Sequence, residues 1–585
     1  MTTVEQMENT QASETLSVQT IQAMILEGAL DGARRHVLRL LAAGCREPEA
    51  YALLGEIALR QGNASRARWS LHRANEIRPR FGWRLMYADS LRASGRHEEA
   101  KIQRDLAVEE APSTPLSLYA CGRAFELDGE IDQAKRFYGE ALALDPKCAL
   151  ALHSLARVAI GEGCLEEAFV LLETLLHEAP TLADAYIDYC SALADRGRYE
   201  EARRIAEKGI AIAPGLHGLW HNLGHILQNL DRSAEAVRVL DHALTLKPDS
   251  AATQFSRATA LLKAGNFDEG WKAYEWRWRK TQKPRTDIAA ALWQGEDLAG
   301  RHILVHHEQG FGDSLQFVRF VPLLCARGAI VTLQVPPTLT RLFESMEGIH
   351  KVVVALDSAD RFDFHCPVAS LPWRCGVTMD TIPLPPYLSV AEEEIDRQGG
   401  SVRRHMAGGA EHPDLVVGLV WAGDPRKQRI DANIVDRRRS MPLDEMAPLL
   451  SVRGVRFASF QLGDAREQLE NAGLPIVDVT DGIVDFADTA ARLYGIDLLI
   501  AVDTSIVHLA GSLNLPVWTL SRADGCWRWL ENRDDTPWYP SMRIIRQATS
   551  GDWGSAVEQA RKMLEQVSCA YRGILNGAAL KSTEF

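Results

Sequence analysis

The sequence predicts an array of helical hairpins followed by two α/β lobes, each wound around a parallel sheet. Three observations carry that reading: a 34-residue spacing of prolines and glycines through the first half, its loss after about Arg279, and short apolar runs alternating with helical ones from there on. At 585 residues the chain is too long for one hydrophobic core, so two or three domains are expected.

Prolines stand at 112, 146, 180, 214 and 248, each 34 residues after the one before, with Pro79 and Pro48 preceding them at shorter intervals. Glycines at 28, 62, 95, 129, 163, 197 and 265, with Asp231 in the missing place, fall between them. Alanines at 33, 67, 100, 134, 168, 202 and 236 follow five residues behind. Glycine accepts turn dihedrals and proline cannot continue a helix, so each unit is a helix, a turn at the glycine, and a second helix ending near the proline. The alanine marks a helix crossing too close for a larger side chain. Trp220, Leu223, Gly224, Ala236, Ala243 and Pro248 match best the pattern of the tetratricopeptide repeat, which the array resembles.

Eight units are expected, from about Glu14 to about Arg279, giving an array over 14–280; in the last, Gly270 stands where alanine is usual. One repeat cannot bury its own apolar face, so the units are expected to stack into an α-superhelix with a concave groove that takes a protein or peptide partner. In "GWKAYEWRW", Trp271, Tyr274 and Trp278 share one face at helical spacing and are expected to seal the end of the array against the next domain.

Residues 281–300 break the period and read as a linker, with an apolar patch at Leu292 and Trp293. The runs "ILVHHE", "AIVTLQV" and "KVVVAL", with helical stretches between, predict a Rossmann-like lobe over 301–390. A proline-rich stretch from Thr381 and a charged connection over 391–412 follow. A second lobe over 413–570 restarts the alternation with "LVVGLVWAG", "RFASFQL", "IVDVT", "DLLIAVDT", "PVWTL" and "MRIIRQ", and 571–585 is a tail. A closing helix, about Trp553 to Val567, is expected to pack back across the lobes. Two such lobes facing each other make a cleft at the carboxyl ends of their strands, where ligands bind.

The formal net charge of −13 argues against nucleic acid as the main partner. No apolar run approaches the roughly 20 residues that span a bilayer, and the opening residues lack the basic start and apolar block of a signal peptide, so a cytoplasmic protein is expected. The 10 cysteines show no paired spacing for zinc or a disulfide framework. His306, His307 and Glu308 do not make a metal site, because adjacent strand residues point to opposite faces. Neither a metal nor another cofactor is expected.

"DLLIAVDTSIVHLAG", from Asp497, carries the most chemistry. A buried strand ends at Asp503, whose carboxylate is expected to cap the following helix, and Thr504 and Ser505 place hydroxyls beside free backbone N–H groups, which suits a diphosphate. His508 lies four residues after Thr504 and three after Ser505, so it rises on the same helix face. Gln461 is another strand-end residue aimed at the crevice. In "CWRWLENRDDTPWYP", Trp527 and Arg528 are the candidates for stacking on a sugar or base.

"DTSIVHLA" resembles the D-S/T-G-P-x-H-L/I-A motif of the ADP-heptose heptosyltransferases, two-lobed GT-B glycosyltransferases that bind the nucleotide sugar in the C-terminal lobe. "EQGFGD" is similar to the turn after their first strand. The resemblance implies a backbone bend at Gly310 and Gly312 and a catalytic base at Asp313. In "GLVWAGDPRKQRIDANIVDRRRSMP", Arg439 takes the place of their phosphate-contacting lysine, with Lys427 nearby. Bacterial tetratricopeptide proteins ending in such a domain look closer still, through "DFADTAA", "DTSIVHLAG" and "DTPWYPSMRIIRQ". Ser505 and Ile506 replace the Gly-Pro of the motif and Met441 replaces the tryptophan before Pro442, so ADP-heptose is not implied. The domain order is also similar to that of the protein O-GlcNAc transferases.

The implied function is transfer of a hexose or heptose from a nucleotide-sugar donor, inverting and metal-independent, to a protein or glycan acceptor held by the repeats. Arg439, Lys427, Thr504 and Ser505 would neutralise the departing diphosphate. The alternative is a non-catalytic scaffold whose lobes keep the fold without turnover. A homo-oligomer is left open.

Overall fold

The computed structural model describes residues 18–280, 288–357, 360–408, 414–425 and 436–575. The chain divides into two compact units, one through Ala192 and one from Leu193.

The first unit consists of helical hairpins: Val18–Leu26 with Leu30–Ala42, Pro48–Arg60 with Ala64–Ile77, Phe81–Arg92 with His97–Glu109, Pro115–Leu127 with Ile131–Leu144, and Ala149–Glu162 with Leu165–Glu178. The division falls inside helix Ala183–Asp195. The second unit then contains Tyr199–Ile212, His217–Asn229, Ser233–Leu246, Ala251–Lys263 and Phe267–Tyr274. At all eight turn positions the backbone is left-handed, with φ from +53° at Asp231 to +82° at Gly265. Aspartate tolerates that region better than most residues, and Asp231 is further held by the buried Lys263 ammonium at 2.6 Å. The seven alanines five residues on are fully buried. At Gly270 even alanine is too large, because a Cβ would lie 2.7 Å from Leu262 Cδ2 and 3.2 Å from the Leu262 backbone nitrogen.

Beyond the repeats, the second unit holds two all-parallel sheets. The first has β1 (Ala291–Leu292), β2 (His302–His306), β3 (Ile330–Gln334), β4 (Ile349–Val353) and β5 (Phe364–Pro367), in the order β1-β5-β2-β3-β4. The second has β6 (Leu415–Val420), β7 (Val455–Ser459), β8 (Ile476–Asp478), β9 (Leu498–Val502), β10 (Val517–Ser521) and β11 (Met542–Arg546), in the order β11-β10-β9-β6-β7-β8. Both faces of the second sheet are covered, which explains its near-continuous apolar runs. Along β6, Val416 and Val420 join one core cluster, whereas Leu415, Val417 and Leu419 join another, as the two-residue period of a strand requires.

Several expected boundaries move. Ala291 and Leu292 pair with Phe364 and His365, and Trp293 is fully buried, so the end of the expected linker belongs to the first sheet. Among the described residues the terminal helix, Trp553–Leu575, packs on the second lobe rather than across both: Trp553, Ala556, Val557, Ala560 and Leu564 join the core cluster on one face of its sheet, and the Tyr571 hydroxyl accepts from Arg403 at 3.4 Å. The aromatic seal forms with a substitution. Trp271 is 2% exposed and meets Trp527, Phe317 and Trp538 at ring-centroid distances of 5.5, 6.0 and 6.1 Å, and Tyr274 packs beside Trp527 at 5.9 Å. Trp278 does not take part, because the helix is interrupted at Glu275 and Trp276. Arg277 is buried instead, bonded to Glu308 at 2.8 and 3.0 Å and to Ser370 Oγ at 2.6 Å. Burial opposes its charge, but Glu308 and Glu275 hold the guanidinium above its ordinary pKa.

Candidate functional site

In chain order within its sheet, the second lobe reads 3-2-1-4-5-6, so the winding reverses between β6 and β9; in the first lobe it reverses between β2 and β5. Such reversals open a crevice at the carboxyl ends of the strands. The segments leaving β2, β3, β6, β7, β8, β9 and β10 converge there on a cleft of about 960 Å³.

On the second-lobe wall, helix Ser505–Ser512 points its N-terminus into the cleft, which Thr504, Ser505 and Ile506 line. The expected Asp503 cap is absent. Thr504 is the N-cap residue, with extended dihedrals, and among the described residues no side chain caps this helix. The Asp503 carboxylate instead accepts the Trp529 indole N–H at 2.9 Å. Among the described residues the first turn therefore has no side-chain cap and presents the positive end of its dipole to the cleft, which Asp313, Asp424, Asp464, Asp485 and Asp503 also line. Arg439 stands beside it, bonded through Nε to Asp436 at 2.8 Å and reaching the Asp503 carbonyl at 3.4 Å. Gly423 is required here, since a Cβ would lie 2.6 Å from an Arg439 terminal nitrogen and 2.3 Å from Asp436 Oδ1.

Gln461 lines the cleft but spends its amide on the backbone. Its oxygen accepts from Trp421 N at 3.0 Å and Ala422 N at 2.9 Å, and its nitrogen donates to Ala422 O and Leu462 O. It shapes the turn after β6. Lys427 lies outside the described residues.

On the first-lobe wall, Asp313 closes the N-terminus of helix Phe311–Phe317 by accepting the Gly310 N–H at 2.9 Å, and its other oxygen pairs with Arg528. Arg528 also donates to Gln316 Oε1 at 2.6 Å and lies 4.4 Å from the Trp527 ring centroid. Burial opposes its charge and the Asp313 carboxylate outweighs it, raising the guanidinium above its ordinary pKa. The bend differs from expectation in one respect: the left-handed residue is Gln309, at φ +65°, and neither Gly310 nor Gly312. What Gly312 permits is close packing, because a Cβ there would lie 2.9 Å from His508 Cδ2 in the other lobe.

That contact fixes His508. It is 5% exposed, stacks on Trp529 with centroids 5.3 Å apart, and shares a 3.0 Å hydrogen bond between Nδ1 and the Tyr539 hydroxyl. Burial, reinforced by Arg528, Arg319 and Arg439, pushes its pKa well below the usual range. A neutral ring at the lobe joint results, and it lines the cleft beside Thr504 and Ser505, as its helical spacing implied. Trp527 likewise belongs to the aromatic core, 7% exposed among Trp271, Tyr274 and Trp538, and is no stacking platform in the cleft.

Two lining groups had no role in the sequence reading. Arg522 brings a third arginine to the wall; beside it, the buried Asp524 accepts from the Tyr199 hydroxyl at 2.7 Å and pairs with Arg438 at 3.1 Å. His307, set aside as a metal ligand, lines the cleft with Nδ1 against Ser314 Oγ. The one signal for it was position, the first residue after an apolar strand. Among the described residues no cluster of three or more metal-ligating side chains forms.

Two family models described as tetratricopeptide repeat match residues 159–224 and 217–250. Protein FlbA of Caulobacter vibrioides is 26% identical over 75% of this chain and 82% of its own length. Cellulose synthase operon protein C of Xanthomonas axonopodis pv. citri is 24% identical over 45% of this chain, a match that takes in 19% of that protein. Among solved structures, yeast Tom70 is 18% identical with a TM-score of 0.35, covering 42% of this chain and 54% of its own, and YrrB, a TPR protein with an unusual peptide-binding site, is 19% identical with a TM-score of 0.27 over 32% and 97%. No helix among the described residues is long and apolar enough to cross a membrane. With the family models, the left-handed turns and the buried alanines in agreement, the first half of the chain is an array of tetratricopeptide repeats.

Proposed function

We propose that this chain is a glycosyltransferase of GT-B architecture that moves a sugar from a nucleotide-sugar donor to a protein or glycan acceptor recruited by its repeats. The observation that carries this reading is the cleft itself: an uncapped helix N-terminus at Thr504, with Arg439, Arg522 and Arg528 on its walls, at the winding reversals of two facing parallel sheets. Diphosphate binding needs such N–H groups and cations, and departure of the diphosphate in the transition state rewards them further. The proton of the acceptor hydroxyl leaves toward the first-lobe wall, where Asp313 and His307 stand. A non-catalytic scaffold is the competing reading. It is favoured by Gln461, His508 and Asp503 being engaged in bonds within the protein.

Thermal shifts of the full chain against ADP-, GDP-, UDP- and dTDP-sugars test the donor site, since a ligand that binds only the native state raises its stability. One nucleotide class is expected to shift the transition, and Arg439→Ala to weaken that binding about tenfold or more. No shift with any of the four favours the scaffold.

A further inference from the structure

Resting on the glycosyltransferase reading above, we propose that His307 Nε2 is the general base that takes the proton from the acceptor hydroxyl. Asp313 is the residue the turn first suggests. Both of its oxygens are already engaged, one by the Gly310 N–H that starts the helix and one by Arg528. Its place is to hold Arg528 and the helix end.

His307 is the first residue after β2, half-buried, and it lines the cleft. Its backbone N–H donates to the Gln334 carbonyl at 2.9 Å, so the sheet anchors the residue itself. Its Nδ1 meets the hydroxyl of Ser314, which is 2% exposed on helix Phe311–Phe317. In the tautomer whose Nδ1–H donates to that oxygen, which the proposal requires, Nε2 carries the lone pair, and among the described residues Nε2 has no hydrogen-bond partner. Burial lowers the pKa of the imidazole below its ordinary value, with Asp313 pulling the other way, so the ring is neutral near pH 7. The base and the anion cradle at Thr504 thus line one cleft from opposite lobes.

In the step, the acceptor O–H gives its proton to His307 Nε2 while an oxygen lone pair forms the bond to the anomeric carbon. The bond from that carbon to the diphosphate oxygen breaks, and its electron pair leaves with the nucleoside diphosphate. The proton then passes to water, so the balance is acceptor and nucleotide sugar to glycoside, nucleoside diphosphate and a proton.

The test uses the full chain with the same four nucleotide-sugar classes, water serving as acceptor, and reads both thermal shift and nucleoside diphosphate release. His307→Gln is expected to keep the thermal shift and lose release by about 100-fold or more. His307→Ala is expected to lose release and regain at least about tenfold of it with added imidazole, which a merely structural histidine would not allow. Release by His307→Gln within about threefold of wild type overturns the assignment, and so does loss in His307→Ala that imidazole does not restore. A wild-type shift without release leaves the donor site standing and removes the base. Neither shift nor release with any of the four removes both readings.

Discussion

The repeats and the lobes keep their cores in different ways. In the first unit, buried side chains form short clusters between neighbouring helices, such as Ile21 to Ile57 and Cys121 to Ala151. In the second unit one cluster collects Ala258, Trp271, Phe317, Val416, Trp538 and Ile544, so its members come from the last repeat and both lobes. A repeat answers to its neighbours, whereas a lobe residue answers to segments hundreds of positions away.

The largest test of that contrast is Trp271→Ala. Removing a fully packed indole costs about 3–5 kcal/mol, and hydrogen exchange should report the loss across the second unit while peptides from Leu30 to Leu144 keep their protection. A uniform loss through both units would break the distinction. A smaller effect follows from pH. The unfolded chain protonates His508 near its ordinary pKa, but the folded chain resists because burial holds the ring neutral. Stability is therefore complete above that ordinary value and falls as pH drops below it. His508→Gln should flatten this dependence in denaturant titrations at successive pH values; an unchanged slope would mean that other groups set it. The smallest effect belongs to the array. Gly129 has φ +79° with open space around its Cα, so Gly129→Ala introduces backbone strain alone, about 1–2 kcal/mol, confined to exchange in helices Pro115–Leu127 and Ile131–Leu144.

Legibility followed the same divide. The eight left-handed turns and seven buried alanines were readable one by one, because each repeats a local geometry. In the lobes, strands buried on both faces announced themselves as apolar runs, but β5, only Phe364–Pro367 and bearing a histidine and a proline, carried no such signal although it sits inside its sheet. β1, two residues long, is too short to stand out from the linker around it. At the cleft, strand-end positions were predictable and side-chain commitments were not. Gln461 was expected at the crevice and lines it, yet its amide is consumed by Trp421 and Ala422. Glycines 310 and 312 marked the bend, yet the left-handed residue is Gln309, and Gly312 makes room for a histidine almost two hundred residues later.

By itself the sequence determined the repeat period, the residue types at each turn and crossing, and the succession of strands and helices after them, since these depend on φ, ψ and side-chain size at one position or its near neighbours. Tertiary structure alone decided that the last repeats belong with the lobes, that Arg277 rather than Trp278 is buried at that joint, and that Asp313 faces Arg528 while His307 keeps a ring nitrogen without a hydrogen-bond partner among the described residues. Those outcomes depend on which distant groups compete for the same hydrogen bond or the same volume, and no local pattern encodes the competitor.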